Sequence, residues 1–431
     1  MKIMTAAAAA ILILLVSGSP LRALDGGSKR VIITMRAKST ADTHLKVLQA
    51  LHSKTSFKIS SNGNSANEFV ALVAEVPASA LAGTAAGAAP SKRDVMNLIP
   101  TVAEGDVLDV EEDFSTKWIE AMPSFQGLAF PSVEATMGAL PKLNLANKPG
   151  LAMAALRPAI PWGVDRVHAP AAWDNTRGKG VRVAVIDTGI FTGHPDLQGK
   201  VDGGYDAFSK TELKENYQDK NGHGTHVAGT IAANGTKLKG VAPLARLYAV
   251  RVLDADGSGS ISGIIDGLIW CANNHIQVAN MSLGSDKPSA TLQRALRYAA
   301  AMGVVVVAAA GNSGGAVGYP AAYPETIAVS ASDSSDKIAS FSSRGPEVGF
   351  IAPGVSIVSS AMDGGYANMS GTSMAAPHVT GLAALAVSQG WVGKDGPDGV
   401  LVQLQKAAKK LPGLADAEQG SGMIDAGVLT R

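Results

Sequence analysis

An aspartate, a histidine and a serine of this chain lie in three separate short motifs, each rich in small residues. The motifs are Ile186-Asp187-Thr188-Gly189, Asn221-Gly222-His223-Gly224-Thr225 and Ser370-Gly371-Thr372-Ser373-Met374. A serine hydroxyl becomes a strong nucleophile when an imidazole takes its proton, and a carboxylate can orient that imidazole. Together, Asp187, His223 and Ser373 therefore indicate nucleophilic catalysis of acyl transfer.

A fourth polar residue, Asn312, follows the apolar run Val304 to Ala310. An amide side chain at the tip of a buried strand can donate a hydrogen bond to a developing oxyanion. Ser373 opens a predicted helix, whose first backbone N–H groups and positive dipole end favour the same charge. Each residue alone is typical of a cap or a turn, so the prediction depends on all four occurring together.

The elements that must position these residues alternate between strands and helices. The nearly continuous apolar runs at 181–186, 247–253, 304–310 and 326–329 are typical of strands buried on both faces. Helical patterns at 225–233, 263–273, 290–301 and 373–388 alternate with these runs. We predict an α/β domain with a doubly wound, mostly parallel sheet, in which Asp187 and Asn312 follow the carboxyl ends of strands, where ligands bind.

The chain divides into four segments. Residues 1–23 have a short apolar run after Lys2 and are predicted to be a signal peptide, with an uncleaved membrane anchor as the alternative. Residues 29–121 are predicted to form a small α+β unit with an Ala/Gly-rich insert. Residues 122–158 contain repeated prolines and few charges, as linkers do. Residues 159–431 hold the four motifs and the predicted parallel sheet.

Composition limits the class of protein further. The 431 residues are 46% hydrophobic and 17% charged, which indicates a globular protein, and a net charge of +1 gives no reason to expect a nucleic-acid or anionic-membrane partner. A single cysteine, Cys271, excludes an intramolecular disulfide, and its apolar flanks predict a place in the core.

From about residue 160 to 431, the four motifs taken together resemble those of the subtilisin-like serine peptidases, including the order Asp, His, Ser. The resemblance implies a secreted serine endopeptidase that needs no cofactor for its chemistry, with delivery to a secretory or vacuolar compartment as the alternative. It further implies that Ser373 is the nucleophile, that His223 is the general base and acid, and that Asp187 orients the imidazole. Asn312 and the Ser373 backbone N–H would form the oxyanion hole.

The resemblance also extends to the substrate cleft. Two motifs resemble its walls, and Gly318 resembles the floor of the main specificity pocket. The wall residues are Gly257, Ser258 and Gly259 on one side and Ser282, Leu283 and Gly284 on the other. Such walls bind protein or peptide substrates by strand addition. A glycine floor implies broad specificity for large apolar side chains before the scissile bond, whereas ordinary turn chemistry is the alternative for these glycines.

Residues 107–113 resemble the last strand of the inhibitory prodomain in this family. The unit at 29–121 is therefore expected to inhibit its own catalytic domain, so that the chain is made as a zymogen. The tail that follows, Phe114 to Ala121, is expected to lie in the cleft between the two walls. No membrane partner is expected once the signal peptide has been removed.

Asp196 resembles a calcium ligand of many relatives. The loop that would supply the other ligands, Asn234 to Lys239, is short and carries Lys237 and Lys239. Calcium requires oxygen ligands, so we expect a structural calcium site here to be weak or absent.

Three other readings of the motifs can be tested. His223 and His226 could suggest zinc, but zinc proteases place two histidines four residues apart with a glutamate between them. An α/β-hydrolase esterase would require the reversed order Ser, Asp, His. A non-catalytic binding protein on the same fold would have lost a catalytic residue, whereas all four positions are filled here.

Overall fold

The computed structural model describes residues 28–39, 41–51, 55–60, 69–77, 95–98, 105–119, 159–235 and 237–429. The predicted signal peptide at 1–23, the Ala/Gly-rich insert at 78–89 and the predicted linker at 122–158 lie outside the described residues. None of the helices in the described part of the chain is long and apolar enough to cross a membrane.

The N-terminal unit is a four-stranded antiparallel sheet with strand order β2-β3-β1-β4, followed by the short strand β5. Its elements are β1 (Ser28–Arg36), α1 (Ala41–Ala50), β2 (Thr55–Ser60), β3 (Phe69–Pro77), β4 (Val107–Glu112) and β5 (Ser115–Lys117). One face of the sheet packs on α1, where Val31, Ile33 and Val47 are fully buried. The sequence analysis missed β2, although the alternating polar and apolar residues of Thr55 to Ser60 are typical of a strand.

The second unit is built on a seven-stranded sheet in the order β13-β12-β11-β10-β6-β8-β7, with every pair parallel. The strands are β6 (Arg182–Asp187), β7 (Val201–Asp206), β8 (Arg246–Arg251), β10 (Val278–Met281), β11 (Val305–Ala309), β12 (Thr326–Ser332) and β13 (Val348–Pro353). This architecture confirms the predicted α/β fold, because helices cover both faces of the parallel sheet. Five shorter strands of this unit lie outside the sheet: β9 (Ser258–Ser260), β14 (Ile357–Ser360), β15 (Tyr366–Met369), β16 (Ala408–Lys409) and β17 (Met423–Ile424).

Helices α4 and α7 pack on one face of the sheet, whereas α5 and α6 pack on the other. The helices are α2 (Trp162–Arg166), α3 (Ala169–Ala172), α4 (His223–Ala232), α5 (Ile261–Asn273), α6 (Ala290–Ala301), α7 (Thr372–Ser388), α8 (Val400–Ala407) and α9 (Asp416–Gln419). Cys271 is fully buried in α5, as predicted, and burial raises the pKa of its thiol far above the ordinary value. Such a thiol is chemically inert.

The N-terminal sheet packs against the second unit through its other face. Ile32, Phe69 and Val73 of that face share one buried apolar cluster with Ile264 of α5 and Leu292 of α6. The two units therefore form a continuous core across α5 and α6, and this contact directs the chain after β4 towards the carboxyl edge of the parallel sheet.

Candidate active site

Asp187 is the last residue of β6, and His223 is the first residue of α4. Both oxygens of the Asp187 carboxylate lie 2.9 Å from Nδ1 of His223. The helix can approach the strand because position 224 is a glycine: a Cβ there would lie 2.1 Å from the carbonyl oxygen of Gly189. A glycine is therefore needed next to His223 so that α4 can pack close enough to β6 for His223 to reach Asp187.

The loop before His223 is anchored by Asp219, a buried residue that the sequence analysis did not single out. One of its oxygens accepts hydrogen bonds from Thr188 Oγ1 at 2.8 Å and from the backbone N–H of Gly222 at 2.9 Å. The other accepts from the N–H and the hydroxyl of Thr225, at 2.9 and 2.6 Å. An acidic residue four positions before the first residue of a helix is the sequence signal that could have identified this anchor.

The electrostatic setting of His223 favours its charged form. Burial alone lowers the pKa of the imidazole, but the charge and the hydrogen bond of Asp187 outweigh that effect, and Asp219 adds to them. The pKa of His223 is therefore raised above its ordinary value of 6.5. Because a carboxylate can only accept, Nδ1 carries the proton that faces Asp187, and Nε2 of the neutral ring is left as the acceptor.

Ser373 lies in the first turn of α7, the helix that begins after Gly371. Gly371 has a φ of 153°, which only glycine adopts easily, and it ends the preceding loop so that the helix can start at Thr372. The Ser373 hydroxyl donates a hydrogen bond to the carbonyl oxygen of Ser282 at 3.2 Å. Nε2 of His223 is buried and has no hydrogen-bond partner within the described residues, so in this conformation the serine and the histidine are not joined by a hydrogen bond.

Asn312 is oriented by Thr372, another residue that the sequence analysis did not identify. Oδ1 of Asn312 accepts hydrogen bonds from the backbone N–H and the hydroxyl of Thr372, both at 2.9 Å. With its oxygen engaged in this way, the amide presents its Nδ2 donor group on the other side. Thr372 directly precedes Ser373 in the motif. A hydroxyl residue at the start of a helix is usually interpreted as a cap, so the sequence alone does not indicate that Thr372 orients Asn312.

A pocket of about 410 Å³ lies beside Ser373. It is lined by Trp118, by residues 283–286, by residues 316–319 and by Asn312, Thr372 and Ser373. Gly318 is on this lining, and a Cβ there would lie 3.1 Å from the carbonyl oxygen of Ser285. The structure thus places the predicted floor residue Gly318 and the predicted wall residues Leu283 and Gly284 around one cavity.

The other predicted wall consists of Gly257 and the first two residues of β9, Ser258 and Gly259, and the N-terminal unit occupies it. Strand β5 pairs antiparallel with β9, with Thr116 opposite Gly259 and Lys117 opposite Ser258. Further along, the N–H of Trp118 donates to the carbonyl oxygen of Gly257 at 3.0 Å. The N–H of Gly284, on the opposite wall, donates to the carbonyl oxygen of Trp118 at 3.1 Å. Residues 115–118 therefore lie between the two walls, held by main-chain hydrogen bonds.

Two carboxylates just before this tail bind the N-termini of α5 and α6. Glu111 accepts hydrogen bonds from Ser289 Oγ at 2.8 Å and from the N–H groups of residues 290 and 291, both at 3.1 Å. Asp113 accepts from the N–H of Ser262 at 2.9 Å and from its hydroxyl at 2.8 Å, and it pairs with Arg30 at 2.7 Å. A carboxylate at a helix N-terminus satisfies free N–H groups and interacts favourably with the dipole.

Comparison with known proteins identifies the family. The sequence model of the Subtilase family matches residues 178–422, more than half of the chain. The chain belongs to the subtilase family. Its relatives include M-protease of Shouchella clausii (strain KSM-K16), which is 49% identical over 279 residues, covering 63% of this chain and 70% of the relative. Subtilisin Savinase of Lederbergia lenta is 48% identical over 279 residues, covering 63% of this chain and 99% of the relative.

Subtilisin E of Bacillus subtilis (strain 168) is 50% identical over 239 residues, which covers 54% of this chain and 62% of that relative. Like the members of its family, this subtilase is a serine endopeptidase that hydrolyses peptide bonds and acts on protein substrates. The predicted family and class of enzyme are therefore confirmed.

The contacts of Asp196 do not fit a calcium site in this subtilase. Its carboxylate accepts a hydrogen bond from the Tyr366 hydroxyl and a long one, 3.4 Å, from the N–H of Lys237. The nearby oxygen of Asn234 accepts from the ammonium group of Lys239. The oxygens that a cation would need are therefore bonded to donors, and one of those donors is itself a cation.

The second histidine of the motif, His226, does not face the same partner as His223. Its Nε2 lies 2.9 Å from the carbonyl oxygen of Ile357, and burial lowers its pKa to about 4. It is thus a neutral, packed ring on α4, whereas Nδ1 of His223 faces Asp187. The two rings do not converge on a common point as zinc ligands would.

Proposed function

We propose that Asp187, His223, Ser373 and Asn312 carry the peptidase reaction, with the roles that the family resemblance implies. The observation that carries this proposal is the orientation of His223. Its Nδ1 is held by both oxygens of the buried Asp187 carboxylate. Its Nε2 has no hydrogen-bond partner among the described residues, and the pocket beside Ser373 lies at the same edge of the sheet.

The reaction begins when the Ser373 hydroxyl rotates from the Ser282 carbonyl oxygen towards Nε2 of His223. The imidazole takes the hydroxyl proton as Ser373 Oγ attacks the scissile carbonyl carbon, and the carbonyl oxygen becomes negative. Nδ2 of Asn312 and the Ser373 N–H, at the start of α7, donate hydrogen bonds to that oxygen. His223 then gives its proton to the leaving amine, and an acyl-enzyme forms on Ser373.

A water molecule completes the cycle by the same steps in reverse order. His223 takes a proton from the water, and the resulting hydroxide attacks the acyl carbon, passing through a second oxyanion in the same hole. Collapse of this intermediate breaks the bond to Ser373 Oγ, which regains its proton from the imidazolium. Throughout the cycle, Asp187 holds the imidazole in place and stabilises the charged ring.

The test is the substitution Ser373→Ala in the full chain. We expect a folded protein whose turnover falls by about a million-fold, the magnitude known for subtilisin when its nucleophile is removed. An active-site serine label should modify the unaltered enzyme and leave the variant unmodified. Retained peptide hydrolysis in Ser373→Ala would remove Ser373 from the mechanism.

We also propose that residues 29–121 are an inhibitory prodomain and that the chain is made as a zymogen. The support is the tail at 115–118, which lies between the two cleft walls and uses the main-chain groups that a substrate would need. The shared apolar cluster with α5 and α6 provides the affinity, and the tail provides the blockage. Inhibition of this type is competitive with peptide substrates.

The measurement is the hydrolysis of a peptide by mature enzyme when a separately produced segment 29–121 is added. Competitive inhibition at micromolar or lower concentration is expected. The same segment ending at Asp113 lacks the tail and should inhibit far more weakly, because it keeps only the docking surface. Equal inhibition by the two segments would show that blockage does not depend on the tail.

The substrates that we propose are exposed or unfolded polypeptides with a large apolar or aromatic residue before the scissile bond. A pocket of about 410 Å³ with Gly318 on its lining leaves space for such a side chain. Cleavage of a peptide library only after paired basic residues would contradict this specificity. The apolar run at 5–16, within the predicted signal peptide, supports secretion, and N-terminal sequencing of the secreted protein tests both signal removal and maturation.

A further inference from the structure

The pocket beside Ser373 has one charged side chain on its lining. Of the described residues that form the pocket, only Asp286 has a carboxylate, and none has a basic side chain. The other polar groups are hydroxyls and amides, such as those of Ser313, Ser343 and Asn312. A single carboxylate on an otherwise uncharged lining gives the pocket a negative electrostatic potential, which the glycine and the apolar residues of the lining do not contribute.

Asp286 is held at the pocket by the backbone beside it. Ser285 and Tyr319 exchange two main-chain hydrogen bonds, Ser285 N–H to Tyr319 O at 2.9 Å and Tyr319 N–H to Ser285 O at 2.8 Å. These bonds tie the wall to the segment that carries Gly318. Asp286, which follows Ser285 directly, therefore lies next to a main-chain bridge between the two sides of the pocket.

The charge of Asp286 is not used in an ion pair among the described residues. Its neighbour Lys287 has its Nζ 5.4 Å from the centroid of the Phe114 ring. The ammonium group thus interacts with the face of that aromatic ring while the N-terminal tail occupies the cleft. Lys287 is retained when the tail leaves, so the comparison of Asp286 variants in mature enzyme includes any effect of its charge. Asp286 is exposed, so its carboxylate remains free to meet a substrate side chain.

We propose that Asp286 selects among charged substrates, so that a cationic side chain in the pocket is cleaved in preference to an anionic one of similar size. The expected ligand chemistry is the ammonium of lysine or the guanidinium of arginine before the scissile bond. This inference rests on the proposed function, because it concerns the specificity of the same site. It adds a second substrate class to the large apolar residues and does not replace them.

The size of the effect follows from the exposure of the carboxylate. In water, the attraction between two opposite unit charges about 4 Å apart changes an equilibrium constant by about fivefold. We therefore expect Asp286 to favour a lysine over a neutral side chain by about threefold to fivefold, and to disfavour a glutamate by a similar factor. Salt at about 1 M shortens the screening length to about 3 Å and should remove most of the discrimination.

The experiment uses mature enzyme and four peptides that differ only in the residue before the scissile bond: Phe, norleucine, Lys and Glu. The measured quantity is kcat/KM for each peptide in the unaltered enzyme, in Asp286→Asn and in Asp286→Lys. In Asp286→Asn, the Lys to norleucine ratio should fall and the Glu to norleucine ratio should rise, each by about threefold to fivefold. Asp286→Lys should reverse the order of Lys and Glu.

The Phe peptide separates this inference from the proposed function. Cleavage of Phe at similar rates in all variants, combined with charge ratios that do not change, would overturn the role of Asp286 and leave the peptidase mechanism intact. Loss of all cleavage in the unaltered enzyme would instead contradict the mechanism. Asp174→Asn removes an exposed carboxylate of the same charge from the end of α3, so it controls for net charge and should leave every ratio unchanged.

Discussion

Nδ1 of His223 lies 2.9 Å from each oxygen of Asp187, and the carboxylate is fully buried. The backbone N–H of Thr188 donates to the same carboxylate at 2.7 Å, so the buried carboxylate accepts a hydrogen bond from the main chain as well as from the imidazole. The charge of Asp187 acts on the imidazole at short range and raises the pKa of His223. Under the proposed mechanism, this pair sets the pH range in which the enzyme works.

The first prediction concerns pH. General-base catalysis requires neutral His223, and the Asp187 carboxylate raises the pKa of that residue above 6.5. Activity should therefore be lost as pH falls through this raised pKa and should be retained above it. The pH profile of kcat/KM measures the value directly. An acid limb centred below 6.5 would contradict the electrostatic role of Asp187.

Asp187→Asn is the matched variant for this profile, since it keeps the shape of the side chain and removes the charge. The acid limb should move to lower pH, and turnover should fall by about 10⁴-fold, as it does for the equivalent change in another serine protease. A variant that keeps its rate but shifts its acid limb would show that Asp187 tunes the pKa without orienting the ring.

The second prediction concerns the oxyanion hole. Asn312→Leu removes the Nδ2 donor at similar volume, so kcat should fall by about 10²–10³-fold with little change in KM, the magnitude known for the equivalent asparagine of subtilisin. Thr372→Val removes the hydroxyl that holds Oδ1 of Asn312, and kcat should fall by about tenfold. Thr372→Ser keeps the hydroxyl and should retain most of the activity. Equal rates for the Val and Ser variants would mean that the backbone N–H of Thr372 orients Asn312 alone.

The third prediction concerns the carboxylates that dock the N-terminal unit. Glu111→Gln or Asp113→Asn removes a charge that accepts several hydrogen bonds at a helix N-terminus. Each change should weaken inhibition by the added segment 29–121 by about tenfold, measured as the inhibition constant for peptide hydrolysis. Glu112→Gln is the control, because its side chain points to the opposite face of β4 from Glu111. A Glu112 variant that binds as weakly as the other two would indicate a long-range charge effect.

The fourth prediction concerns calcium. If Lys239 provides the cation beside Asn234, the melting temperature of the mature enzyme should be nearly the same with calcium and with a chelator. A tight calcium site at saturation would raise it by about 5–10 °C for a domain of this size. Lys239→Met should lower the melting temperature by a few degrees, whereas Lys237→Met, at an exposed lysine of the same loop, should not. A large fall on chelation that Asp196→Ala abolishes would restore the calcium site.

Short-range patterns of the sequence were enough to predict a parallel sheet with four of its seven strands, the helices that cover it and the four proposed catalytic residues. A strand buried on both faces is apolar nearly throughout, and the run Val183 to Ile186 has this pattern, with strand length and β-branched residues. The glycines beside His223 and Ser373 are explained locally as well, since backbone contacts of about 2 Å and a φ of 153° exclude other residues.

Only the tertiary structure revealed the residues that act by reaching across the chain. Asp219 and Thr372 are ordinary polar residues in sequence, and each gains its place from a hydrogen-bond partner on a different element. The same is true of the loop near Asp196, where the ammonium group of Lys239 donates a hydrogen bond to the side-chain oxygen of Asn234. The periodicity of apolar residues predicts which face of a helix or strand is buried. Hydrogen bonds between distant segments depend instead on the distances between them, which are determined only when the whole chain is folded.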